Sequence, residues 1–165
     1  MRSGFTLVEM VVSVGVTAIL ILIVAGVLTD TFKAKNRADV SDLVERNGNF
    51  VITELRRNII NSRGEMTVCS VGTGSSLAVY DRAGVETILV CNEGGSIASQ
   101  SALGTVDLTT GVTASGCLAF VSCSTSPTTE VSGVNIGFTL SGGTFDAGPA
   151  NWVEKSFETK VTVRN

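Results

Sequence analysis

A single carboxylate, Glu9, stands at the head of the stretch MVVSVGVTAILILIVAGVL, and no other charge follows until Asp30. An acid in an apolar segment of that length loses its hydration wherever the segment is buried, at a cost of roughly 2.5 to 3.5 kcal/mol near a bilayer centre. A group held at that cost usually has a partner and a task, which makes Glu9 the first candidate for function. The second set is four cysteines: Cys69, Cys91, Cys117 and Cys123. The chain has no histidine, so the commonest general base and metal ligand is missing. The cysteines form no C-x-x-C, and a zinc site is not expected from them. Their even number points instead to two disulfides made in an oxidising, extracytoplasmic compartment. Three pairings are open. If CLAFVSC is a straight strand, Cys117 and Cys123 lie roughly 20 Å apart, beyond disulfide reach, and bond to Cys69 and Cys91 instead. A bulge or turn there reverses the argument.

Other chemistry is scarce. Asp81, Glu86 and Glu93 cluster near one hairpin and are expected to be solvated turn residues. GTGSS at 72–76 is too short for a nucleotide loop and has no following Lys. A Ser-His or Cys-His pair is impossible without histidine, and Asp146 alone does not make a Ca²⁺ loop. No enzyme, metal or cofactor is expected. The net charge of −3 implies no partner, and from Met66 onward eight acids face four bases. That half has no basic stripe for phosphates, so nucleic-acid binding by the head alone is not expected.

The elements that must position these residues begin with the apolar run. Met10 to Leu28 is 19 residues, about 28 Å as a helix, close to a hydrocarbon core of about 30 Å. The only basic residue before it is Arg2, and LTDTFKAK after it is a poor cleavage site, so the run is expected to stay in the mature protein. With Arg2 inside, the positive-inside tendency puts the N-terminus in the cytoplasm and the rest outside. Between Thr29 and Ser62 there is no proline, and Phe32, Val40, Leu43, Val44, Val51, Leu55 and Ile59 recur at helical spacings. Asp42–Arg46 and Asp30–Lys33 stand in the favourable acid-first order. A continuous helix from Phe5 to Ser62, capped near Gly64, would be about 87 Å long. Gly15, Gly26 and Gly48 interrupt it. Gly26, where the helix leaves the membrane, is a candidate for local unwinding.

From Met66 the period changes. MTVCSV, SLAVYD, VETILVC, CLAFVS, VSGVNIGFTL and FETKVTV are short runs rich in β-formers. YDRAGVE predicts a tight hairpin with Gly84 at positive φ. In the last strand Phe157, Thr159, Val161 and Val163 share one face. Glu93 to Gly116, mostly Gly, Ser, Thr and Ala, predicts a long surface excursion with one short strand at most. Trp152 is expected to pack on the sheet. An antiparallel sheet needs cover on its apolar face, and the stripe on 40–59 supplies it. The expected fold is α+β: a long N-terminal helix, its second half packed on an antiparallel head of four to seven strands.

The residues Gly4, Phe5, Thr6, Leu7, Val8 and Glu9, followed by about twenty apolar residues, resemble the N-terminal signal of type IV prepilins and type II secretion pseudopilins. The resemblance implies a leader at 1–4, a transmembrane and assembly helix at 5–29, an amphipathic helix at 30–63 and a globular head at 64–165. It implies cleavage after Gly4 by a prepilin peptidase, N-methylation of the new terminus Phe5, and a meeting of Glu9 with the terminal amine of a neighbouring subunit. The implied partners are that peptidase, other pilin or pseudopilin subunits and the lipids of the cytoplasmic membrane. The implied function is a structural subunit, similar to minor pilins or J-type pseudopilins, in a pilus-like or secretion filament. A membrane-anchored binding module, an adhesin or a DNA-capturing head, is the alternative. Many pilins carry a proline where this chain has Gly26.

Overall fold

A computed structural model describes residues 6–62, 73–81, 83–125, 131–143 and 151–162. Helix α1 runs unbroken from Leu7 to Asn61, 55 residues and so about 82 Å. Thr6 opens it: its backbone is extended and its hydroxyl accepts the Glu9 amide at 3.3 Å, meeting one of the orphan donors of the first turn. At the other end Ser62 turns out of the helix, and its amide and hydroxyl both donate to Ile59 O. Gly64, the expected cap, lies outside the described residues. Of the two acid-first pairs, Asp42–Arg46 closes at 2.7 Å, whereas Asp30 and Lys33 form no ion pair. Both spacings are exposed, where such pairs contribute little.

The buried line of α1 is Val44, Gly48, Val51, Leu55 and Ile59, spaced four, three, four and four, with Val40 and Ile52 half-buried beside it. Two members of the expected stripe do not belong to it. Phe32 is 64% and Leu43 40% exposed, because at 3.6 residues per turn they sit roughly 140° and 120° around the helix from that line. Gly48 is the member the hydropathy pattern missed.

The head contains two antiparallel sheets rather than one. In the first, β1 (Thr73–Gly74) pairs with β7 (Val121–Thr125), and β7 with the first half of β8 (Val131–Gly142). The short β6 (Thr113–Ser115) pairs with the second half of β8 on the same side, and β9 (Val153–Thr162) lines its other side through ten residue pairs. The second sheet is a meander of β2 (Ser76–Tyr80), β3 (Glu86–Cys91), β4 (Ile97–Ser101) and β5 (Gly104–Asp107). The chain changes sheets at Ser75, between β1 and β2. Gly84 has φ +80° in the β2–β3 hairpin, a conformation glycine enters without steric cost. The stretch 93–116, expected as a surface excursion, carries β4, β5 and β6. Its small polar residues give no alternation to read, and β5 is exposed throughout. β4 and β6 bury Ile97, Ala98 and Ala114, whereas β5 is held by pairing with β4 alone.

One core joins the helix line to Leu77, Val79, Leu89 and Ile97 of the meander and to Phe120, Val134, Ile136, Phe138, Leu140 and Val161 of the first sheet. The helix lies chiefly on β8 and β9. There the Phe157 ring occupies the space a side chain at position 48 would need, and Val44 presses on Gly142 in the same way. Phe157 stacks on its cross-strand partner Phe138 at 5.4 Å, and Phe138 meets Phe120 at 6.1 Å. Such ring pairs add about 0.5–1.5 kcal/mol beyond their burial. At the rim, Lys155 Nζ reaches Glu45 at 2.8 Å, and Asn47 Oδ1 accepts the Thr110 amide at 3.0 Å. Burial on β9 alternates from Val153 to Thr162, with Phe157, Thr159 and Val161 inward. Val163 lies outside the described residues, and Trp152 is half-buried.

A second set of contacts ties the two sheets. Cys91, ending β3, is bonded to Cys117, 26 positions later in the sequence, with 5.3 Å between Cα atoms. Cys117 opens a single 3-10 turn, Cys117–Ala119, ahead of β7. CLAFVSC is therefore a turn followed by a strand. Beside the bond, Glu93 accepts the Gly116 and Cys117 amides at 3.2 and 2.8 Å. Gly94 and Gly95 exchange backbone hydrogen bonds of 2.8 Å with Ala114.

Two outcomes follow for unfolding of the full chain in detergent micelles. Gly48→Ala lowers stability by about 1–2 kcal/mol despite its helix propensity, since overpacking at the Phe157 ring outweighs the gain of about 1 kcal/mol. Gly15→Ala, where a Cβ meets open space, does not. The double change Cys91→Ser, Cys117→Ser costs about 3–4 kcal/mol by the loop it releases, read as a lowered denaturation midpoint against the oxidised parent.

Candidate functional site

From Leu7 to Leu28 every residue of α1 is exposed, on all sides of the helix. Its most apolar window has a mean hydropathy of 2.9 with no residue buried against the head. A helix apolar all round is stable only inside a bilayer or an assembly. Its length and composition suffice to cross a membrane.

Polar groups in such a segment must be satisfied from within it. Ser13 Oγ donates to Met10 O at 2.9 Å and Thr17 Oγ1 to Ser13 O at 2.7 Å. Thr29 and Thr31 do the same to the carbonyls of Ala25 and Val27, at 2.9 and 2.8 Å. The hydroxyls are thus folded back onto the helix and raise no demand. Glu9 differs. It is the one charge between Leu7 and Leu28, it stands in the first turn, and its carboxylate makes no hydrogen bond or ion pair among the described residues. The positive end of the helix dipole favours an acid there by about 0.3–1 kcal/mol, well short of the cost of unpaired burial in lipid. Gly4 and Phe5 lie outside the described residues.

The head's acidic side chains have structural work. Asp81 Oδ1 accepts the Ala83 and Val85 amides at 2.7 and 2.9 Å and closes the β2–β3 turn. Tyr80 donates to Glu86 at 2.9 Å. Glu93 is an exposed turn residue, as expected, and in addition caps the 3-10 turn at Cys117. The three are not brought together, and in the open depression of 510 Å³ lined by Gly84, Val85, Glu86, Ile88, Gln100, Ser101 and Ala102 Glu86 and Ser101 are engaged separately, Glu86 by the Tyr80 hydroxyl and Ser101 by the Leu103 amide. No metal-ligating cluster occurs among the described residues. Of the cysteines, Cys91 and Cys117 are buried and bonded to each other. Cys123 is disulfide-bonded as well, and Cys69 lies outside the described residues. The features that sequence reasoning missed are the Glu93 cap and the Asn47–Thr110 tie. Glu93 and Gly116 stand 23 residues apart, and no local pattern joins them.

Comparison with known proteins bears on the N-terminal segment. Residues 1–25 match the family described as the prokaryotic N-terminal methylation motif. No curated protein and no solved structure matches the chain. The matched residues contain Glu9 and most of the uncovered apolar helix, and that helix leads into an α+β head of pilin-like arrangement. The chain therefore carries the prepilin-type N-terminal methylation motif, the mark of type IV pilins and pseudopilins, at the start of a helix that fits a membrane-anchored subunit of that kind.

Proposed function

We propose that this protein is a structural subunit, a minor pilin or pseudopilin, that is held in the cytoplasmic membrane, processed by a prepilin peptidase and assembled with other such subunits into a filament. The observation that carries this reading is Glu9: a carboxylate with no partner among the described residues, on a helix segment that is otherwise apolar as far as Leu28 and internally satisfied. Cleavage between Gly4 and Phe5 creates a new amine four residues before Glu9, the site of N-methylation. In a polymer of stacked helices, the Glu9 of each incoming subunit meets the Phe5 amine of its neighbour. Loss of one partner from a buried ion pair costs about 3–5 kcal/mol, so the pairing also sets the register of the stack.

In this reading residues 1–4 are the leader, 5–29 the span that becomes the filament core, 30–63 the part that carries the head, and 64–165 the head itself. The N-terminus faces the cytoplasm, where the peptidase acts. The orientation rests on the motif and not on the positive-inside tendency first read from Arg2, because the three bases soon after the span, Lys33, Lys35 and Arg37, outnumber that one. The head's bonded cysteines agree with an extracytoplasmic location.

Mass spectrometry of the protein from a peptidase-containing host should show loss of Met1 to Gly4 and a methyl group on Phe5; an intact leader refutes the processing. Glu9→Ala should insert into the membrane normally yet reduce the fibre yield more than about a hundredfold, the equivalent of roughly 3 kcal/mol per contact. Fibres from that variant in normal amount would remove the role given to Glu9.

A further inference from the structure

Between the span and the head lies a stretch of helix whose residues 30–39 are all exposed among the described residues, although Asn36 and Asp39 border a depression with Gly143 and Asn151. The apolar run ends at Thr29, and the first residue of α1 that the head shields is Val40, about 16 Å further along the axis. Lys33, Lys35 and Arg37 stand in this neck, roughly 6, 9 and 12 Å beyond Thr29, with no acid between them. All three are exposed, and among the described residues none makes an ion pair. Exposed Phe32 precedes them. The flanking acids, Asp30 and Asp39, sit at the two ends of the neck.

A bilayer with a hydrocarbon core of about 30 Å measures about 40–45 Å with its headgroups, so each polar zone is roughly 5–7 Å deep. Lys33 falls in that zone when the run Met10–Thr29 fills the core. Lys35 and Arg37 lie just above it and reach back along their alkyl stems. Phe32 lies at the boundary, the depth that aromatic side chains favour.

We propose that Lys33, Lys35 and Arg37 form a lipid-phosphate collar: they bind anionic phospholipid headgroups of the leaflet from which α1 emerges and fix the depth of the subunit while it waits in the membrane. Charge complementarity and direct continuity with the span select lipid as the occupant. The collar rests on the membrane-anchored reading above and adds a consequence to it: a subunit leaving the bilayer for a polymer must release these headgroups, a change on the order of fivefold in membrane affinity per cation.

The test uses the full oxidised chain carrying Ala34→Cys, labelled with an environment-sensitive dye and reconstituted in vesicles. One set is pure phosphatidylcholine and the other contains about one third phosphatidylglycerol, an anionic surface of the kind that attracts basic segments. Acrylamide quenching of the dye should fall severalfold in the anionic vesicles. The protection should vanish in K33Q/K35Q/R37Q, and in about 0.5 M NaCl, where screening acts within a few ångströms. Equal quenching in both lipids, or protection that survives the triple change, overturns the collar. So does protection reproduced in phosphatidylcholine by added inorganic phosphate, or protection that tracks the protein-to-lipid ratio, the sign of a second copy as occupant. Flotation separates the two layers of the argument: a chain that does not float with either vesicle refutes the anchored reading itself, whereas one that floats but ignores lipid charge refutes only the collar.

Discussion

The close seam between α1 and the strands β8 and β9 is the contact on which the rest of the head is built. A glycine on the helix and a glycine on the sheet, Gly48 and Gly142, leave room for Phe157 and Val44 to press across the joint. That approach fixes the roll of the helix relative to the sheet, and roll decides which side chains are buried. With Gly48 facing Phe157, the line from Val44 to Ile59 is turned inward, while Leu43 and Phe32 are turned out. The Phe157–Phe138–Phe120 series then carries the contact into the centre of the core.

The consequence is a helix with two environments on one axis. From Val40 on it has a buried face and an exposed one. Before Thr29 it has no buried face at all, and the head offers nothing to cover it. The hydroxyls of Ser13 and Thr17 are bonded to the helix's own carbonyls, which suits a solvent that makes no hydrogen bonds. What remains unanswered within the chain is the single charge at Glu9. In the proposed reading, that charge is met by a neighbouring subunit.

The head solves a different problem. Its two sheets share an aliphatic core with few rings, since aromatic residues make up only 5% of the chain. Covalent and polar ties add to it: the Cys91–Cys117 bond, the Glu93 carboxylate on two amides of the same turn, and the Gly94–Ala114 pair. These contacts cluster within one corner, so the corner between the sheets is held while the exposed β5 edge needs no cover. At four residues β5 is short, and a short edge is a poor template for unwanted strand pairing.

What the amino-acid order determined by itself was whatever depends on local periodicity or on a single contiguous motif. The long helix, the apolar run with its isolated acid, the strands β2, β3, β8 and β9, and the hairpin glycine at Gly84 are all of that kind. In each the physical cause lies within a few residues of the effect. The tertiary structure alone decided the rest. It split the head into two sheets and made strands of 93–116, where β6 pairs with the distant β8 and the mostly small side chains of β4 and β5 show no alternation to read. It also gave Gly48 its place in the core, because a residue without a side chain has no hydropathy to reveal that a ring from a strand more than a hundred residues later fills its space. The Cys91–Cys117 bond falls between the two cases: the even cysteine count foretold bonding, and Cys117 does bond outside CLAFVSC although a turn opens that segment, but which distant cysteine it takes was decided by the packing of the two sheets.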